Sequence, residues 1–298
     1  MIPLPAFSVG WPPNTALAEQ LRDYADLLEQ QEADAFRVGA YRRAADVVGA
    51  LDRPAGEILA MGGREALLAL PAVGPRIASA LTEMLITGRW SEYERARGTQ
   101  EPEGLFRTIP GIGRTLAARL CDQLHVESLE ALEMAAYDGR LAEIEGVGRR
   151  RLAMIRAALA QRLGMPRLRR LRQSQPRPPA AVLLDVDSEY REKAEAGRLR
   201  TIAPRRFNPE GDAWLPILHT RRGPWEFTAL YSNSRLAHQL GRVRDWVVIY
   251  YRTDHSPEGQ CTVVTETHGP AAGTRVVRGH EQEARGERGS RRKPAAAA

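Results

Sequence analysis

The sequence predicts a multi-domain protein, with an all-α N-terminal half followed by a small α+β domain built on an antiparallel sheet. Three observations carry that expectation. Apolar residues recur at helical spacing from Asn14 to about Gly164. A basic, proline-containing stretch, Pro166–Pro178, then breaks the pattern. Beyond it, Val182–His280 holds most of the β-branched and aromatic runs. The chain has 298 residues, 43% of them hydrophobic. That is enough for two or three domains with buried cores, and it excludes a wholly disordered protein. No apolar run approaches the ~20 residues that span a bilayer, and Met1–Pro13 lacks the marks of a signal peptide. Cys121 and Cys261 lie far apart, which suits a reducing cytoplasm better than a disulfide framework.

The first segment runs from 14 to 98. Leu17, Leu21, Tyr24, Leu27 and Leu28 mark one helix, with Asn14 placed to cap it. Phe36, Tyr41, Ala44, Ala45, Val48 and Leu51 mark a second, stopped near Pro54. Two more helices flank Leu70-Pro71-Ala72-Val73-Gly74-Pro75, where Pro75 suits a first helical turn. The second segment, 102–164, stays helical and is punctuated by Gly111-Ile112-Gly113 and Gly146-Val147-Gly148. These turns and Val73-Gly74 form a loose internal repeat, since Leu70–Ala78 reads closely onto Ile109–Ala117.

The basic linker 166–178 carries five arginines and no acid. In the segment 182–280, strands are expected at Trp214–Thr220, Trp225–Tyr231, Asp245–Tyr251, Cys261–Glu266 and Arg275–Arg278. Short helices are expected at Ser188–Ala196 and Arg235–Leu240, and the tail 281–298 reads as disordered.

A Gly-apolar-Gly turn at the start of a helix has a definite chemistry. Glycine exposes its amide with no Cβ in the way. The helix start adds unsatisfied N–H groups and partial positive charge, which suit a phosphate. Arginines follow each turn: Arg76, then Arg114, then Arg149, Arg150 and Arg151. Gly74, Gly111, Gly113, Gly146 and Gly148, with Arg76, Arg114, Arg149 and Arg150, are therefore the candidate contacts to a DNA backbone. Such contacts position a duplex without reading its bases. The bland alternative is three tight helix–helix corners with solvated arginines.

These residues resemble the helix-hairpin-helix motif. Their arrangement over 14–164 resembles the N-terminal half of family X DNA polymerases, the group that includes DNA polymerase beta. The specific pieces are Phe36–Ala45, Leu70–Ala78, Thr87-Gly88, Ile109–Ala117 and Ile144–Gly148. The resemblance implies a lyase-type domain that binds the 5′-phosphate side of a gap, followed by tandem hairpins. Its phosphate pocket would fall on Arg37, Tyr41 and Arg76. The lyase lysine position falls on Ala80, and the only lysines in the chain are Lys193 and Lys293. No amine is available there for Schiff-base chemistry. Ala72 departs from the glycine of the motif and weakens the first cradle.

A polymerase palm is not expected, because the only Gly-Ser pair, Gly289-Ser290, lies in the tail. Asp185 and Asp187 follow an apolar run and offer an alternative: a magnesium-dependent nuclease or nucleotidyltransferase. Their bland reading is a helix cap at Asp187. A third alternative is a protein-interaction module. The histidines show no metal-ligand spacing. Arg205, Arg206, Phe207, Trp214, Trp225, Tyr231, Tyr250 and Tyr251 offer rings and guanidiniums for unpaired bases, with about half of the rings expected in the core.

The leading expectation is a non-catalytic DNA-binding protein of bacterial type, cytoplasmic and nucleoid-associated, acting on gapped or nicked DNA in repair. It calls for no cofactor beyond room for a monovalent cation at the hairpins, and for magnesium only under the aspartate alternative. Net charge is +6, yet the candidate binding half, Asn14–Gly164, has 19 basic and 22 acidic residues, a net of −3. Placement of amides and a few arginines, rather than bulk charge, would carry the binding.

Overall fold

The structure is a computed structural model that describes residues 10–99, 101–124, 126–163, 177–253, 258–267 and 272–278. The tail lies outside these residues, as does the linker except for Arg177 and Pro178.

The first helical segment comprises α1 (Asn14–Gln30), α2 (Ala35–Gly49), α3 (Ala55–Leu68), α4 (Pro75–Thr87) and α5 (Ser91–Arg97). Leu17, Leu21, Tyr24 and Leu28 bury one stripe of α1 against Val38, Tyr41, Ala45 and Val48 of α2. Asn14 does not cap its own helix. Its Nδ2 donates to the Leu51 and Arg53 carbonyls, and its Oδ1 accepts from Ala55 N at 2.8 Å, so it starts α3 instead. Phe36, expected on the apolar face of α2, is 86% exposed. α3 is kinked at Gly63, and Pro75 opens α4 as expected.

The second helical segment holds α6 (Pro102–Phe106), α7 (Arg114–Leu124), α8 (Leu129–Asp138), a 3₁₀ turn (Arg140–Glu143) and α9 (Arg149–Leu163). Ile109, Ile112, Leu116, Leu120, Leu132, Ile144 and Leu159 form its separate core.

The C-terminal domain contains α10 (Ala180–Glu195), α11 (Arg235–Gln239) and six strands: β1 (Thr201–Ile202), β2 (Leu215–Arg222), β3 (Trp225–Tyr231), β4 (Val247–Arg252), β5 (Gly259–Thr265) and β6 (Arg275–Val277). Among the described residues they make one antiparallel sheet in chain order. The helix expected at Ser188–Ala196 begins eight residues earlier, because the apolar run before Asp185 continues its helical stripe. Leu183, Val186 and Tyr190 pack on the sheet. The Tyr190 hydroxyl donates to Pro216 O at 3.0 Å and accepts from Tyr231 N at 2.8 Å.

Strand alternation gives the sheet two unlike faces. Phe227, Ala229, Tyr231, Val247, Ile249 and Tyr251 belong to the α10 side. Glu226, Thr228, Tyr250 and Arg252 belong to the other, and this polar face is covered by the N-terminal helices. Covering both faces buries all four rings Trp225, Tyr231, Tyr250 and Tyr251. Among the described residues no helix is long and apolar enough to cross a membrane.

Candidate nucleic-acid interface

The three turns share one backbone construction. The apolar residue donates to the carbonyl three positions back: Val73 to Leu70, Ile112 to Ile109 and Val147 to Ile144, at 3.2, 3.1 and 3.0 Å. The following glycine accepts the first helical bond: Gly74 from Ala78, Gly113 from Ala117 and Gly148 from Leu152, at 2.9, 2.9 and 3.0 Å. The first glycine position is left-handed in each case, with φ of 57° at Ala72, 88° at Gly111 and 89° at Gly146. The repeat in the sequence is thus a repeat in three dimensions. Ala72 keeps the turn although an L side chain is strained there.

The second and third turns face solvent. Ile112 and Val147 anchor them in the core, while Gly111, Gly113, Arg114, Gly146, Gly148, Arg149 and Arg150 are exposed. Arg151 is turned back to donate to the Gly146 carbonyl, and Arg119 donates to Glu145 O at 3.0 Å. Both arginines brace the third turn.

The first turn differs. Pro71 and Ala72 are exposed, but Arg76 reaches the sheet and pairs with Glu226. Arg37 and Tyr41, the other two residues of the expected pocket, form no open anion site. Arg37 is ion-paired with Glu92 at 2.6 Å and hydrogen-bonded to the Tyr24 hydroxyl at 2.6 Å, with its side chain 8% exposed. Arg252 from β4 pairs with the same Glu92. Burial opposes ionisation of Glu92, but Arg252 and Arg37 outweigh it and hold the carboxyl well below its usual range. The Tyr41 hydroxyl is buried with no hydrogen-bond partner, and burial raises its pKa to about 12. In this arrangement Glu92 and Glu226 close the expected 5′-phosphate pocket, because they already neutralise the guanidiniums of Arg37 and Arg76.

More of this boundary follows the same logic. Arg95 forms a bidentate pair with Glu258, at 2.9 and 2.7 Å, and its guanidinium lies 3.4 Å from the Tyr250 ring centroid. His219 bridges Gln31 and Thr228 at 2.8 and 3.1 Å. Burial and then Arg37 push its pKa well below the ordinary value. Glu92, Glu226, Arg252 and Glu258 were missed by sequence reasoning. For Glu226 and Arg252 the available signal was a charged residue at an alternate position of strands that are otherwise apolar; Glu92, on α5, and Glu258, just before β5, carried none.

The aspartate pair does not make a metal site. Asp185 and Asp187 lie on helix α10, where a two-residue step turns them to different sides. Asp185 accepts from Arg222 at 2.7 Å on the exposed side. Asp187 is buried and forks onto Arg275 at 2.5 and 2.9 Å. It caps nothing, because the helix starts at Ala180. Among the described residues no group of His, Cys, Asp and Glu is placed to hold a metal ion. Ala80 is buried in the α4 core. Of the base-stacking set, Arg205 and Phe207 remain exposed and Trp214 half-buried, with Arg206 held near Glu103 at 3.4 Å.

Residues 12–90 match a family model described as a helix-hairpin-helix domain, and residues 104–161 match one described as a SAM-like helix-hairpin-helix tandem. No curated protein matches the chain. Helix-hairpin-helix domains commonly bind DNA, so the two matches support a general DNA-binding role.

Proposed function

We propose that this chain is a non-sequence-specific DNA-binding protein that grips the phosphate backbone with its second and third turns. It acts at nicked or gapped DNA in repair, in a bacterial cytoplasm, and without catalysis of its own. The observation that carries this reading is the environment of Gly113 and Gly148. Neither has a left-handed φ, and a Cβ at either would meet nothing within 4 Å. Backbone conformation and internal packing both tolerate a side chain there. Close approach of an outside ligand to the amides does not.

The supporting chemistry is local. The N-termini of α7 and α9 present unsatisfied amides, flanked by Arg114, Arg149 and Arg150, which have no ion pair among the described residues. Nick or gap preference rests on the resemblance of the 14–164 arrangement, and the lyase step lacks its amine at Ala80. A 5′-phosphate preference through Arg37, Tyr41 and Arg76 requires Glu226 to leave Arg76 and Glu92 to leave Arg37.

A binding panel of gapped, nicked, single-stranded and intact duplex DNA, with and without magnesium, tests the reading. Expected are sequence-independent, salt-sensitive binding, tighter on nicked and gapped substrates, no magnesium-dependent turnover and no borohydride-trapped adduct on abasic DNA. Equal affinity for nicked and intact duplex removes the repair-site element. Absence of binding to every substrate removes the function.

A further inference from the structure

The first turn has the backbone of the other two without their free cation. Counting from Gly74 and Gly148, Arg76 is the counterpart of Arg150. Arg150 is exposed, whereas Arg76 is held by a carboxylate from another domain. The turn is otherwise intact. Pro71 and Ala72 face solvent, and a Cβ at Gly74 would meet nothing within 4 Å.

Glu226 is the second residue of β3, beside the tight β2–β3 connection at Gly223 and Pro224. The Arg76 and Glu226 side chains are 15% and 21% exposed, against 8% and 11% for Arg37 and Glu92. The pair thus lies at the margin of the domain boundary. The Tyr41 hydroxyl, buried in the same cluster, is a donor with no acceptor.

We propose that the first turn is a third DNA-phosphate contact held in reserve: Glu226 occupies the phosphate's place on Arg76, and DNA that reaches the turn displaces it. This rests on the backbone-grip reading above. Carboxylate and phosphate oxygens compete for one guanidinium fork.

The test is the binding of the full chain to a labelled gapped duplex over a range of salt, with and without a 5′-phosphate at the gap. Glu226→Gln is expected to bind several-fold tighter at low salt, because no carboxylate has to be displaced from Arg76. Adding Arg76→Ala to Glu226→Gln should abolish that gain and make the salt slope shallower than wild type by about 0.9, one phosphate's worth. A gain confined to the phosphorylated gap assigns the end phosphate as the ligand, and a gain on both gaps assigns an internal phosphodiester. On the unaltered chain, amide exchange across Arg222–Glu226 should rise when DNA binds, a readout that needs no variant to fold. Wild-type affinity in folded Glu226→Gln, or unchanged exchange in the DNA complex, overturns this proposal and leaves the grip of the other two turns standing. Absence of DNA binding by the wild-type chain overturns that reading, and this one with it.

Discussion

Arg119 and Met154 occupy the same place after successive turns, and each reaches across to the other's turn. Arg119, on α7, donates to Glu145 O beside the third turn at 3.0 Å. Met154, on α9, packs so closely on Gly111 of the second that a Cβ there would collide with its methyl. The two hairpins are therefore fixed relative to each other by a reciprocal exchange of side chains. This holds both sets of amides in one rigid unit, a precondition for gripping two phosphates of one backbone.

The two glycines of a turn should separate stability from binding. Gly113→Ala and Gly148→Ala should leave the melting temperature equal or slightly higher, since Gly→Ala at a compatible site stabilises by about 0.4–1 kcal/mol, while weakening DNA binding. Gly111→Ala should lose stability as well, because its φ is 88° and Met154 fills the space. Melting curves and fluorescence anisotropy on the same samples check this. A Gly113→Ala protein that binds normally would refute close phosphate approach.

Ala72→Gly should stabilise the first helical segment by about 0.5–1 kcal/mol. The left-handed φ of 57° costs alanine about 1–2 kcal/mol, and glycine gives back part of that gain as chain entropy. Chemical denaturation measures the difference.

Glu92→Gln should cost about 3–5 kcal/mol, the usual result of removing one partner of a buried ion pair. It leaves both Arg37 and Arg252 without their shared carboxylate. Urea unfolding tests it, and a loss below 1 kcal/mol would show that water enters the cluster.

Stability should fall as pH drops below about 6.5. His219 and His238 are both held below the ordinary 6.5, each by burial first and then by an arginine, Arg37 or Arg206. The unfolded chain therefore takes up these protons before the folded one, and the buried His219 removes up to about 1.4 kcal/mol per pH unit, while solvent screening makes the contribution of the more exposed His238 smaller. Glu92, with its folded pKa also depressed, adds to the loss below its ordinary 4.5. Urea midpoints at pH 7.5 and 5.5 should differ, and His219→Gln should narrow the gap. Identical midpoints would exclude neutral histidines at this boundary.

The two aspartates of α10 should behave oppositely to a metal pair. Asp187→Ala should be strongly destabilising, because Arg275 loses a buried partner. Asp185→Ala, on the exposed side, should cost less than about 1 kcal/mol. Denaturation curves with and without magnesium should superimpose for both variants.

Local chemistry made much of the fold readable. Leu17, Leu21, Tyr24 and Leu28 show their common face by spacing alone, and Trp225–Tyr231 forms a strand with the predicted limits. The early start of α10 was not legible because an apolar run such as Val182–Leu184 does not by itself distinguish a buried strand from a helix stripe. Phe36 misled because an aromatic at helical spacing is not obliged to be buried.

The sequence by itself determined the three turns. Gly, an apolar anchor and a helix start are satisfied within about nine residues, so no distant part of the chain is needed to specify them. The tertiary structure alone decided which turns stay open. Arg37, Arg76, Glu92, Glu226 and Arg252 are far apart in sequence, and nothing local pairs them. They meet because the sheet's second face must be covered, and every charge brought into that cover needs an opposite one.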